Sequence, residues 1–104
     1  MYYSVLDNIL FIESTHPQAR SIQRVDVNIR GAFSQAQLKG LDDVKRKMIP
    51  LALKMGGNCI IEFKYGQRTN SGFFSIDNVS WYGNGIVAVL PVTIIEKMIA
   101  DRYS

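Results

Sequence analysis

The chain has 104 residues and a formal net charge of +3, with 47% hydrophobic and 20% charged residues. A chain of this length and composition folds as one domain around a single core, which excludes an intrinsically disordered or multidomain protein. Its twelve Lys and Arg residues are spread among acidic ones, so the continuous basic stripe of a nucleic-acid surface is missing and no nucleic-acid partner is expected.

The single cysteine and the first residues predict where the protein is located. One cysteine cannot form an internal disulfide, so nothing in the sequence requires an oxidising compartment. Residues 1–14 have neither the basic start nor the long apolar run of a secretion signal. No apolar stretch approaches the roughly 20 residues of a membrane-spanning helix. We therefore expect a cytoplasmic protein with no membrane partner.

Two strands are predicted in the first third of the chain. Residues 8–14 are apolar on both faces, which predicts a mostly buried strand. Residues 21–30 alternate three valine or isoleucine side chains with polar ones, which predicts a half-solvated strand. The loop between them contains His16, which we expect to be exposed. Residues 31–40 are ambiguous and are interpreted as a loop or a single turn.

Residues 41–55 form the main predicted helix, with acidic residues in the first turn and Lys54 in the last. Gly56 or Gly57 is placed to end it. An apolar stripe about 100° wide predicts that one face packs on a sheet. The stripe consists of Leu41, Val44, Met48, Leu51, Ala52 and Met55. Pro50 lies opposite the stripe, where a bend is tolerated.

A second apolar pair, Ile49 and Leu53, lies to one side of this stripe, one helical turn apart. One sheet contact does not need this extra surface. The pair is therefore predicted to contact a neighbouring subunit, the alternative being that it packs under a loop of the same chain.

Three further strands are predicted at residues 58–65, 73–82 and 86–90. The turn-rich composition of residues 66–72 predicts a hairpin loop. The alternation of apolar and polar residues is disturbed near Asp77, which predicts a bulge. Asn84 and Gly85 have the sequence of a two-residue hairpin between the last two strands.

A second helix is predicted at residues 93–102, because Thr93 and Glu96 have the spacing of a capping box. The predicted order is β-β-α-β-β-β-α. This order indicates a single small α+β domain over residues 1–104, with the main helix packed on a mostly antiparallel sheet.

Cys59 is predicted to be a packing residue. Strand alternation places it with Ile61, Phe63 and Tyr65 on one apolar face. A reactive cysteine needs an exposed or electropositive setting, so we expect Cys59 to be buried and inert.

The stretches ALKMGGNCIIEF and WYGNGIVAVL resemble the YbjQ-like family of small bacterial proteins. Residues 56–58 stand where that family has its helix-ending turn, Cys59 replaces a small residue, and residues 85–89 roughly match a later strand. About half of the chain is covered. The resemblance implies an α+β subunit that assembles into a ring-like homo-oligomer, often described as a pentamer, with no established enzymatic activity.

The same family has carried the label "heavy-metal-binding". A transition-metal site usually needs three or four Cys, His or carboxylate ligands, whereas Cys59 and His16 lie in different elements. A site assembled across subunits stays open. We find neither a catalytic pair nor a phosphate-binding loop in the sequence, and no cofactor is expected.

The leading functional hypothesis is a non-enzymatic, self-assembling binding or scaffold domain. The alternative is a small-molecule or metal-binding protein, or an enzyme, with a site between subunits near Trp81 and Tyr82. The apolar surface of both helices predicts the subunit contacts. The residues predicted to make them are Ile49, Leu53, Ile95 and Ile99.

Overall fold

A computed structural model describes residues 2–32, 40–70 and 78–103. These residues form five strands and two helices. In chain order the elements are β1 (Tyr3–Leu6), β2 (Ile9–Ile12), β3 (Arg20–Ala32), α1 (Leu41–Lys54), β4 (Cys59–Asn70), β5 (Asn78–Val89) and α2 (Val92–Tyr103). The predictions for residues 33–39 and 71–77 lie outside the described part of the chain.

The five strands form one sheet in the order β1-β2-β4-β5-β3. The pairs β1 with β2, β4 with β5, and β3 with β5 are antiparallel, and only β2 and β4 are parallel. The predicted α+β class and mostly antiparallel sheet are confirmed. No helix of the described residues is long and apolar enough to cross a membrane.

The two helices cover opposite faces of the sheet. Successive strand residues point to opposite sides, so each strand can contribute to both cores. In β2, Phe11 packs on the α1 side and Leu10 on the α2 side, as expected for a strand that is buried on both faces. The α1-side core consists of Ile9, Phe11, Val25, Val27, Val44, Met48, Ile49, Ala52, Ile60, Phe63 and Val87. The α2-side core consists of Leu10, Ile12, Cys59, Ile61, Ala88, Leu90 and Ile95.

The strands are distributed differently from the prediction: three precede α1 and two follow it. The unpredicted strand is β1, which pairs with β2 through a tight turn at Asp7 and Asn8. Both turn residues have positive φ, 49° and 64°, as the two central residues of a type I′ hairpin require.

The predicted hairpin at Asn84 and Gly85 is wrong, because β5 runs straight through these residues. The glycines do not form a turn; they let neighbouring side chains pack closely against the strand backbone. A Cβ atom at Gly83 would overlap the Val44 side chain of α1, and one at Gly85 would lie 2.5 Å from Ile60 Cγ2. Similarly, the predicted loop after residue 65 is wrong in its first part, because β4 continues to Asn70.

The ends of α1 agree with the prediction, and the start of α2 does not. Gly56 has a φ of +79°, and the amide N–H groups of Gly56 and Gly57 donate to the carbonyls of Leu53 and Ala52, at 3.1 and 2.8 Å. This is a Schellman ending. Helix α2 begins at Val92, so Thr93 lies inside the helix and the predicted capping box is wrong.

A bulge in β4 changes which face its residues occupy. Glu62 has a φ of +51°, and the register with β5 shifts between Ile61 and Lys64. As a result Phe63 packs on the α1 side, whereas Cys59 and Ile61, which precede the bulge, pack on the α2 side. The predicted common face is therefore right for Cys59 and Ile61 and wrong for Phe63.

Candidate functional site

An open cleft of about 350 Å³ lies between α1 and β3. Its lining residues are Ile29, Asp43, Arg46 and Lys47. One is apolar and three are charged, and the volume is at the small end of the range found for small-molecule sites. The cleft combines an apolar wall with ionic groups, which is the arrangement that binds and orients small polar ligands.

The charged side of the cleft comes from the first two turns of α1. The carboxylate of Asp43 accepts a hydrogen bond from the N–H of Gly40 at 3.0 Å, which fixes it at the start of the helix. The carboxylate lies 3.6 Å from Nη1 of Arg46. Lys47 Nζ donates to the carbonyl oxygen of Asn28 at 3.3 Å. Two cations and one carboxylate give the cleft a net positive charge.

Trp81 stands beside the apolar wall of the cleft. It is the cross-strand partner of Ile29 in the β3–β5 ladder, and its half-buried side chain packs on the α1-side core. Within the described residues its indole Nε1 is buried and has no hydrogen-bond acceptor. An unsatisfied buried donor costs about 1–3 kcal/mol, and Trp81 itself is not among the lining residues of the cleft.

Tyr82 does not share this site, although the sequence places it next to Trp81. Neighbouring strand residues point to opposite faces, and the Tyr82 ring lies against its cross-strand partner Gly66. A Cβ atom added at Gly66 would come 2.7 Å from Tyr82 Oη. The predicted pair of pocket aromatics therefore separates into Trp81 on the α1 side and Tyr82 on the other.

Lys45 is a buried cation that the sequence analysis missed. Its Nζ donates to Ser4 Oγ at 2.7 Å and lies 5.6 Å from the centroid of the Phe11 ring. Burial lowers the pKa of the ammonium group, while the carboxylates of Asp42 and Glu13 act in the opposite direction. Its helical spacing of four residues before Ile49 could have indicated that it faces the sheet.

Cys59 is fully buried, and its Sγ lies 3.4 Å from the carbonyl oxygen of Ala88. Burial raises the pKa of the thiol to about 11. The predicted burial is confirmed. His16 is half-buried, not exposed as predicted, and its Nδ1 accepts a hydrogen bond from the Gln18 N–H within the loop, at 3.1 Å. Among the described residues, no group of three or more His, Cys, Asp or Glu side chains could hold a metal ion.

The four predicted contact residues do not form one exposed patch. Ile49 and Ile95 are buried in the α1-side and α2-side cores, and Ile99 packs against the latter. Leu53 is 60% exposed. The premise that Ile49 remains left over after the helix docks is wrong, because the buried face of α1 is wider than the predicted stripe. That these residues contact another subunit stays a prediction.

The fold is similar to that of a protein of unknown function from Pediococcus pentosaceus ATCC 25745, described as a member of the DUF74 family. The two share 16% sequence identity with a TM-score of 0.66, over 82% of this chain and 100% of the other. DUF74 is another name for the YbjQ-like family. At this identity the likeness shows a common fold. No protein-family model and no curated protein matches the sequence.

Proposed function

We propose that the chain is a non-enzymatic, self-assembling binding domain of the bacterial YbjQ-like family. Two independent findings support the family: the motifs at residues 52–63 and 81–90, and the fold shared with a DUF74 protein over 100% of that protein's chain. Assembly into a ring of subunits, and a cytoplasmic location, are part of this proposal.

Strand β3 is the observation that carries self-assembly. It is 13 residues long and lies at the edge of the sheet. Among the described residues β3 pairs only with β5, so its other side presents unpaired N–H and C=O groups. A long, free edge strand is a template for pairing with another chain. Exposed apolar side chains at Leu53 and Val92, 60% and 64% accessible, add surface that a neighbouring subunit would cover.

Light scattering on a size-exclusion column tests the proposal. At micromolar concentration the particle mass should be a multiple of the 11.7 kDa chain mass. A mass equal to one chain over the whole concentration range would contradict self-assembly. If the mass is a multiple of one chain, a crystal structure of the assembly would give the number of subunits.

A second candidate function is small-molecule binding, which the cleft beside Trp81 favours. The sequence analysis placed such a site between subunits. In the structure both walls of the cleft, one from α1 and one from β3, belong to the same chain. A partner subunit is therefore not needed to form the site. The charged groups of this cleft do not include the Cys and His ligands that a transition metal prefers.

A further inference from the structure

We infer that the cleft between α1 and β3 binds a small organic anion, a compact apolar body that carries one carboxylate or phosphate group. The inference concerns the wall residues Ile29, Arg46 and Lys47 together with Trp81. It does not depend on self-assembly, since all four residues belong to one chain.

The charges of the cleft select an anion. Arg46 lies 3.6 Å from the Asp43 carboxylate, which is too long for a hydrogen bond, and its side chain is 57% exposed. Its guanidinium can therefore turn towards a ligand and form the two parallel hydrogen bonds that carboxylates and phosphates accept. Lys47 donates to a neutral carbonyl, so this contact leaves its positive charge uncompensated.

The apolar part of the ligand is selected by Ile29 and Trp81. Side chains of directly opposed strand residues lie about 5 Å apart at Cβ, which places the indole next to the apolar wall. The indole N–H is buried and Trp81 is not among the lining residues of the cleft, so the indole contributes as apolar surface beside Ile29 and not as a hydrogen-bond donor.

The size of the cleft limits the ligand to a small molecule. A volume of about 350 Å³ holds a single-ring compound with its anionic group. A nucleic acid would need a longer basic surface than two adjacent cations of one helix provide.

Trp81 is the only tryptophan in the chain and is the cross-strand partner of Ile29, a wall residue, so its fluorescence should respond to binding in the cleft. We would titrate the full chain with benzoate, phenyl phosphate and benzyl alcohol at constant ionic strength. Benzoate or phenyl phosphate should give a saturable change, and comparing the two identifies the preferred anionic group. Benzyl alcohol should bind at least about tenfold more weakly, because it lacks a charge-assisted hydrogen bond.

Two variants and a matched control locate the site. Lys47→Met and Arg46→Gln should each weaken binding about fivefold, the scale of one surface charge pair. Lys54→Met removes an exposed lysine from the last turn of the same helix and should leave binding unchanged. Thermal unfolding verifies that each variant is folded, and light scattering on the same samples separates loss of binding from loss of assembly.

Three results would overturn the inference: no saturable change with either anion, equal binding of benzyl alcohol, or equal weakening by Lys54→Met and both cleft variants. A mass of one chain with intact anion binding would contradict self-assembly alone.

Discussion

Cys59 illustrates how a single buried group sets the pH dependence of stability. The thiol is packed between Leu10 of β2 and Ala88 of β5, its partners in the sheet. Burial disfavours the thiolate, which raises the pKa from its ordinary 9.0 to about 11. Above pH 9 the unfolded chain therefore loses this proton more readily than the folded chain does.

We expect the free energy of unfolding to fall as the pH rises from 9 to 11, on the order of 2 kcal/mol of it due to Cys59. Below pH 9 this contribution is fully present. Cys59→Ala should cost about 1 kcal/mol at neutral pH through lost packing, and should make the alkaline decline shallower. Urea unfolding across this pH range measures both effects.

Parallel pH profiles for wild type and variant would show that the thiol is not responsible for the decline. Rapid labelling of the native protein by a thiol reagent at neutral pH would independently contradict an inert, buried Cys59.

At the scale of elements, α1 approaches the sheet closely because β5 offers glycine where the helix crosses it. A Cβ atom at Gly83 would overlap Val44 and come 3.3 Å from Met48 Sδ. Both residues are fully buried, so neither can move into solvent. The spacing between the helix and the sheet therefore depends on this missing side chain.

Gly83→Ala should destabilise the fold by about 1–3 kcal/mol, since an extra methyl group in a filled core forces neighbours to shift. Val44→Ala removes the side chain that the new methyl group would overlap. The double variant should thus lose less stability than the sum of the two single variants, because the substitutions compensate each other. Denaturant unfolding of all four proteins gives the coupling energy, and strictly additive losses would contradict the contact.

The elements could be predicted from the sequence where one periodic pattern continues without interruption. Helix α1 and its glycine ending follow from spacing and composition, and β3 from alternation. The prediction failed at β1, because four half-buried residues give too short a pattern. It failed again in β5, where the glycines of residues 83–85 resemble a turn in sequence but accommodate a helix in space.

The whole molecule is more extended than a typical domain of its size. Its radius of gyration is 15.2 Å, against about 13 Å for a compact 100-residue domain. The cause is the length of β3, β4 and β5, which have 12 or 13 residues, whereas β1 and β2 have four each. Three long strands give one chain more sheet than two short helices cover, which is consistent with the proposed assembly.

Leu53 provides a test of assembly that spares the fold. Because its side chain is 60% exposed, Leu53→Glu should leave thermal unfolding nearly unchanged and shift the light-scattering mass towards smaller species. Lys54→Glu, at the neighbouring exposed position, controls for added negative charge. Ile49→Glu is unsuitable, since Ile49 is buried in the α1-side core. An unchanged mass for Leu53→Glu would exclude Leu53 from the subunit contact.

The candidate site was less predictable than the fold, because its parts come from distant places in the sequence. Ile29, Trp81 and the charged turn at residues 43–47 meet only through sheet order and helix docking. The sequence indicated Trp81 as a pocket residue but paired it with Tyr82. The missing hydrogen-bond acceptor of the indole has no signature in composition or spacing, whereas the burial of Lys45 has one only in its spacing from Ile49.

The bulge at Glu62 has a consequence for comparing this chain with distant relatives. One additional residue exchanges the α1 side and the α2 side for everything that follows in β4, from Phe63 onwards. An ungapped alignment with a relative that lacks the bulge would match residues of the α1 side to residues of the α2 side along the rest of the strand. The correct alignment opens a one-residue gap inside the strand at residue 62, where gap penalties based on secondary structure discourage it most.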